Sequence, residues 1–162
     1  MPILVDSCLG DFTRAELIVP QLQGRDAASV IRELSVRLQR EAGVLDLLPF
    51  YQAALNREFL FSTAMDYGLA FPHARVSGLK RLSFALGRSA DPLVWMPKSG
   101  PSVRLVFLCA VPATEATTYL QLISGLARLA EESLLLRKLL EAKEIFEILT
   151  TLRQIRLRQS ND

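Results

Sequence analysis

The stretch Val103-Arg104-Leu105-Val106-Phe107-Leu108-Cys109-Ala110-Val111 limits this chain more than any other. Read at the two-residue period of a strand, it is apolar on both faces, apart from Arg104. A strand of that kind has to be covered on each side, so it predicts a central strand between two layers of helix. Shorter strand patterns surround it in sequence: Leu17-Ile18-Val19 closed by Pro20, Leu69-Ala70-Phe71, and Leu82-Ser83-Phe84-Ala85-Leu86. Trp95, with Val94 and Met96, reads as a further short strand between Pro92 and Pro97. Ser77-Gly78 and Ser99-Gly100-Pro101 mark the turns between them.

On either side of this region the apolar period is 3.6. Asp26 is a candidate N-cap for a helix with Val30, Ile31, Leu34 and Leu38 on one stripe, and Gly43 is its natural stop. A second helix is expected from about Asp46 to Phe59, with Pro49 in its first turn and Leu48, Tyr51, Gln52 and Leu55 on one face. After Pro112, Thr114 is a candidate N-cap for a helix that points Leu120, Ile123, Ala127 and Ala130 at the core. Leu134 to Leu136 and Leu139-Leu140 continue the helical zone, and Ile145, Ile148, Leu149 and Leu152 make a last amphipathic helix. The expected fold is therefore a single α/β domain over 1–162, a mixed β-sheet layered between α-helices. Residues 153–162 form a short basic tail, expected to be a solvated helix end.

Composition narrows the function classes. With 162 residues and half of them hydrophobic, the chain can bury a core of its own. The longest uninterrupted apolar run, Leu105 to Val111, is far short of the roughly 20 residues that cross a bilayer. The N-terminus lacks the basic-then-apolar pattern of a secretory signal, so a cytoplasmic protein with no membrane insertion is expected. Cys8 and Cys109 have no metal-type spacing, and no metal-ligand cluster, P-loop or Rossmann glycine pattern occurs. No metal or cofactor is expected. A net charge of +2 without a recognition motif gives no case for nucleic acid. Charge is uneven, however: Tyr67 to Arg104 holds six basic residues and only Asp91 as an acid. If those side chains converge, they favour an anion such as phosphate.

The single histidine lies within that basic stretch, in Gly68-Leu69-Ala70-Phe71-Pro72-His73-Ala74-Arg75. Pro72 fixes its own φ and pushes Phe71 into an extended conformation, so His73 is expected where a strand has been forced to end. Ala74 leaves room beside it. A nucleophilic histidine needs one ring nitrogen unprotonated and the other N–H held by an acceptor. It also needs donors for phosphoryl oxygens. Arg57, Ser62 and Thr63 upstream, and Arg75, are the candidates for that support.

Asn56-Arg57-Glu58, Ser62-Thr63 and the Gly68 to Ala74 segment together resemble the fructose/mannitol-type IIA domain of the bacterial phosphotransferase system. That family includes the nitrogen-regulatory IIA proteins. Ala85-Leu86-Gly87-Arg88-Ser89, Val106-Phe107-Leu108 with the following Ala-Val-Pro, and Leu120 through Ala130 extend the resemblance over about residues 20–152. It implies a phosphoryl carrier in which His73 takes a phosphoryl group from the histidine phosphocarrier protein HPr. The group then passes to a cysteine on a IIB domain, or its presence controls a regulatory target protein. Arg57 is implied to hold the geometry and charge of the site.

The sequence departs from the family pattern at three points. The second histidine of the family site is matched by Tyr119, whose hydroxyl can donate one hydrogen bond but carries no imidazolium charge. In the loop Ser62-Thr63-Ala64-Met65-Asp66, Ala64 stands for a glycine and Asp66 adds an acid. These changes suit a second reading, a IIA-fold regulatory module that binds proteins and is not phosphorylated. A third reading, a hydrolase or transferase with His73 as general base, requires a carboxylate on the imidazole, and Asp66 is the nearest in sequence.

Overall fold

The computed structural model describes residues 7–157. Two short 3-10 turns, Leu9–Phe12 and Ala15–Leu17, lead into β1 (Ile18–Val19), α1 (Ala27–Glu41) and α2 (Leu47–Leu60). The strands β2 (Leu69–Ala70), β3 (His73–Val76), β4 (Ser83–Leu93) and β5 (Val103–Pro112) follow, then α3 (Ala116–Glu131), α4 (Ser133–Glu141) and α5 (Ile145–Arg153). The strands form one mixed sheet. β5 pairs antiparallel with β4 on one side and parallel with β2 and β3 on the other, while β1 adds parallel to the far edge of β4.

The central strand expected from the apolar run is β5, and its two faces lie in two separate cores. Phe107, Cys109 and Val111 pack with Leu122, Leu126, Leu129 and Leu152 from the α3–α5 layer. Val106, Leu108 and Ala110 pack with Val30, Ile31, Leu34 and Leu38 of α1 and with Phe50 and Ala54 of α2. Each of these large apolar side chains stabilises the fold by about 1.5–3 kcal/mol through burial. Asp26 caps α1, its carboxylate accepting from Ser29 N, and Gly43 beyond the helix adopts φ +80°, open to glycine at little cost.

Several local expectations are corrected. The α2 helix forms, but its buried stripe is Phe50, Ala54 and Glu58, while Leu48 and Gln52 are exposed. The sheet edge and α1, not the helix's mean apolar direction, fix which side faces inward. In α3 the N-cap is Glu115 and the inward face is Leu122, Leu126 and Leu129, leaving Leu120 and Ala127 exposed. Leucines and alanines all round that helix left its phase undecided. Val94 to Met96 form no strand, because β4 runs on through Pro92 to Leu93 at the irregular, late end of its pairing with β5. The tail is a solvated end only in part: Ile155 and Leu157 are buried in the α3–α5 core, and Leu157 N donates to Ser7 O. Residues 158–162 of that tail lie outside the described residues.

Candidate functional site

Phe71 and Pro72 separate two strands that pair with the same neighbour. β2 aligns Leu69 with Leu105, and β3 aligns His73 with Cys109, both parallel to β5. Pro72 brings no N–H to the ladder, yet its carbonyl accepts from Cys109 N at 2.9 Å. A strand does end ahead of His73, as the proline leads one to expect, but the break lasts only two residues and His73 itself begins the next strand on the same edge. Gly68, at φ +82°, makes the turn into this segment, and its carbonyl accepts from both Arg104 N and Leu105 N.

Alternation along β3 puts His73 and Arg75 on one face of the sheet edge and turns Ala74 into the α1–α2 core. The His73 ring is half-buried. Its Nδ1 lies 3.3 Å from the Phe71 carbonyl, an acceptor, so the geometry favours a proton on Nδ1 and a lone pair on Nε2. Tyr119, in the first turn of α3, meets that Nε2 through its hydroxyl at 2.8 Å, with the two rings tilted at 47°. Burial holds the His73 pKa below its ordinary 6.5, and the Arg57 charge adds to the effect, against the Phe71 carbonyl and the Glu58 carboxylate. The imidazole is accordingly neutral near pH 7. Burial also pushes the Tyr119 phenol up to about 12, so it stays a donor.

A cleft of about 590 Å³ opens over this pair. His73, Tyr119, Arg57 and Arg75 line it, with Ala116 and Leu120 on the α3 side. Arg57 reaches it from α2, its Nη1 donating to Phe61 O while the guanidinium lies 5.4 Å from the centre of the Phe61 ring. Two arginines lining the same cleft as an unprotonated imidazole nitrogen make an environment that favours an anionic group bonded there. The basic stretch as a whole does not converge. Arg88 is spent on main-chain carbonyls of Leu139 and Ala142, Arg104 on Ser89 O and Arg81 on Asp11 O, so Arg75 alone of that stretch lines the cleft.

Ser62 and Thr63, read from the sequence as support for a phosphoryl group, do not line the cleft, and both hydroxyls bond Glu58. Glu58 is fully buried, and it accepts from Thr63 N at 2.6 Å and from Trp95 Nε1 at 3.0 Å as well. This carboxylate is the residue whose place the motif alone left unread. Its spacing from Phe50 and Ala54, at i, i+4 and i+8, was the available signal that it faces inward. The altered loop is accommodated: Ala64 packs partly against the α1–α2 core, and among the described residues no non-glycine has a positive φ. Asp66 is exposed and does not line the cleft. Among the described residues no carboxylate bonds either ring nitrogen of His73, and the general-base reading requires one.

Fold and site together define a small α/β domain built around one half-buried histidine at a sheet edge. The chain belongs to the family described as phosphoenolpyruvate-dependent sugar phosphotransferase system, EIIA 2, whose profile matches residues 11–155. Among relatives, it is 36% identical over 107 residues to the 2-O-alpha-mannosyl-D-glycerate-specific EIIABC component of Escherichia coli, covering 64% of this chain and 16% of that protein. It is 27% identical to the nitrogen regulatory protein of Bradyrhizobium diazoefficiens over 88% of this chain and 92% of the relative. The chain thus spans about a sixth of the first relative and nearly all of the second. Of solved structures, nitrogen regulatory protein IIA-Ntr from Neisseria meningitidis superposes with a TM-score of 0.76 at 24% identity, over 88% of this chain and 97% of the other. Mannitol IIA of Escherichia coli, in its complex with phosphorylated IIB, superposes at 0.74 and 19% identity, over 88% of this chain and 99% of the other. Among the described residues, no helix is long and apolar enough to cross a membrane.

Proposed function

We propose that this domain is a phosphoryl carrier in which Nε2 of His73 accepts the group from phosphorylated HPr. The observation that carries this reading is the polarity of the ring. Nδ1–H faces a main-chain carbonyl, burial keeps the imidazole neutral, and Nε2 opens to a cleft with Arg57 and Arg75. In the transfer, the Nε2 lone pair forms the new P–N bond while the bond to the donor imidazole breaks and its electron pair stays with the donor. The proton stays on His73 Nδ1, directed at the Phe71 carbonyl, throughout. The reverse step, with a thiolate of a IIB domain as nucleophile, returns the pair to His73 Nε2. Arg57 and Arg75 offset the phosphoryl charge, and Tyr119 swings its hydroxyl from Nε2 to a phosphoryl oxygen. The 27% identity to a nitrogen regulatory protein, over nearly all of that protein, supports a role in which the phosphorylation state governs a regulatory target.

One observation favours a second reading. The Tyr119 hydroxyl sits on the very lone pair that phosphorylation needs, which suits a regulatory module that binds its target without being phosphorylated. Intact mass after incubation with phosphoenolpyruvate, Enzyme I and HPr decides between them, with His73→Ala as control. A single acid-labile phosphate on the wild type alone supports the carrier. No gain, under conditions that phosphorylate another IIA domain, supports the module.

A further inference from the structure

The buried carboxylate behind the site is connected to His73 by hydrogen bonds that meet on the two sides of Phe71, at its N–H and at its carbonyl. Trp95 Nε1 and Thr63 N can only donate, and both donate to Glu58 Oε1. As a carboxylate, Glu58 only accepts, so the Thr63 hydroxyl spends its one proton on it, at 2.9 Å from Oε2 and 3.0 Å from Oε1. The Thr63 oxygen is then left to accept, and it takes Phe71 N–H at 2.8 Å. Every link therefore has a single allowed direction. Phe71 is held at its N–H by Thr63, and the adjoining Pro72 is held at its carbonyl by Cys109 N. Its own carbonyl, between those two anchors, is the acceptor that faces His73 Nδ1.

We propose that Glu58 and Thr63 are positioning residues that select the Nδ1–H tautomer of His73 by holding the Phe71 main chain at its N–H, and that they touch neither the ring nor the transferred group. The 3.3 Å contact from Nδ1 to Phe71 is the longest link of the series and the first to be lost when Phe71 is released. Without it, Nε2 can take the proton and donate to Tyr119, leaving no lone pair toward the cleft. The consequence for transfer rate rests on the carrier reading above; the choice of tautomer does not.

His73 is the only histidine of the 162 residues, so a long-range ¹H–¹⁵N spectrum of this chain, labelled, shows one imidazole and reads its tautomer directly. The test compares wild type, Thr63→Val, which keeps the shape and loses the hydroxyl, and Thr63→Ser, which keeps the hydroxyl. Wild type is expected to be mainly Nδ1–H. Thr63→Val is expected to shift the tautomer ratio about three- to ten-fold toward Nε2–H, the loss of one neutral hydrogen bond, and to slow phosphotransfer by a similar factor. Thr63→Ser is expected to retain the wild-type ratio. A wild type that is mainly Nε2–H overturns the inference without recourse to any variant. So does a Thr63→Val protein, folded by circular dichroism, whose ratio is unchanged. Faster exchange of the Phe71 amide in Thr63→Val supports it, and unaltered exchange overturns it. A shifted tautomer in a protein that HPr never phosphorylates leaves the inference standing and refutes the carrier reading instead.

Discussion

Replacing Tyr119 with phenylalanine removes one atom from the site and separates two effects of opposite sign. In the free domain the hydroxyl donates to His73 Nε2 at 2.8 Å, a bond between neutral partners. Such a bond is worth about 0.5–1.5 kcal/mol net, so its loss frees the nucleophile and favours phosphorylation by about that much. In the phosphorylated domain the same hydroxyl donates to a charged oxygen, a bond worth about 1.5–3 kcal/mol. Burial pushes the Tyr119 phenol up to about 12, so the hydroxyl keeps its proton and stays a donor near pH 7. The second loss is larger than the first by about 1 kcal/mol, or roughly five-fold in an equilibrium constant. Tyr119→Phe is therefore expected to lower the equilibrium ratio of phosphorylated to unphosphorylated domain about five-fold against a fixed ratio of phosphorylated to free HPr. Quenched samples resolved by intact mass give that ratio. A variant phosphorylated as fully as wild type, or more so, refutes the argument, because it means that the hydroxyl only blocks Nε2.

Three further outcomes follow from particular contacts. The lowered pKa of His73 predicts an NMR titration midpoint below 6.5; because the unfolded chain then binds the proton more readily, stability should fall as pH drops below about 6.5 and level off below the folded midpoint, which urea melts across that range will show or deny. Arg88→Met removes bonds to Pro20 O, Leu139 O and Ala142 O, the last two near the C-terminal end of α4; since the arginine is partly solvated, about 2–3 kcal/mol of the charge-assisted total should be lost, measured as a lower urea midpoint at unchanged slope. Leu157→Ala, in what reads as a solvated tail, should cost about 2–4 kcal/mol by the same assay; a cost below about 0.5 kcal/mol would place that side chain outside the core.

Local chemistry made much of this legible. The Asp26 cap, the α1 stripe and the stop at Gly43 are short-range consequences of side-chain acceptors, helical spacing and a positive φ, and all three stand where the sequence puts them. The two-faced apolar run could only be a covered strand. Where the sequence was ambiguous, the reason is physical. Helices rich in leucine and alanine on several sides, as in α3, have no single inward direction until a neighbour supplies one. The same holds for α2, where a glutamate lies on the buried stripe because Thr63, five residues on, and Trp95, 37 residues on, supply donors.

The sequence by itself determined the helical zones on either side of the strands, the central strand and the Pro-His segment with its arginine, because these depend on neighbours a few residues away. Only the tertiary structure decided which cations reach the histidine. Of the six basic residues from Tyr67 to Arg104, Arg75 alone lines the cleft, since the main-chain carbonyls that draw Arg81, Arg88 and Arg104 elsewhere come from distant parts of the chain. It also decided the state of the ring. Tyr119 lies 46 positions from His73 and Trp95 37 from Glu58, and hydrogen bonds of that span exist only once the sheet has brought the two layers together.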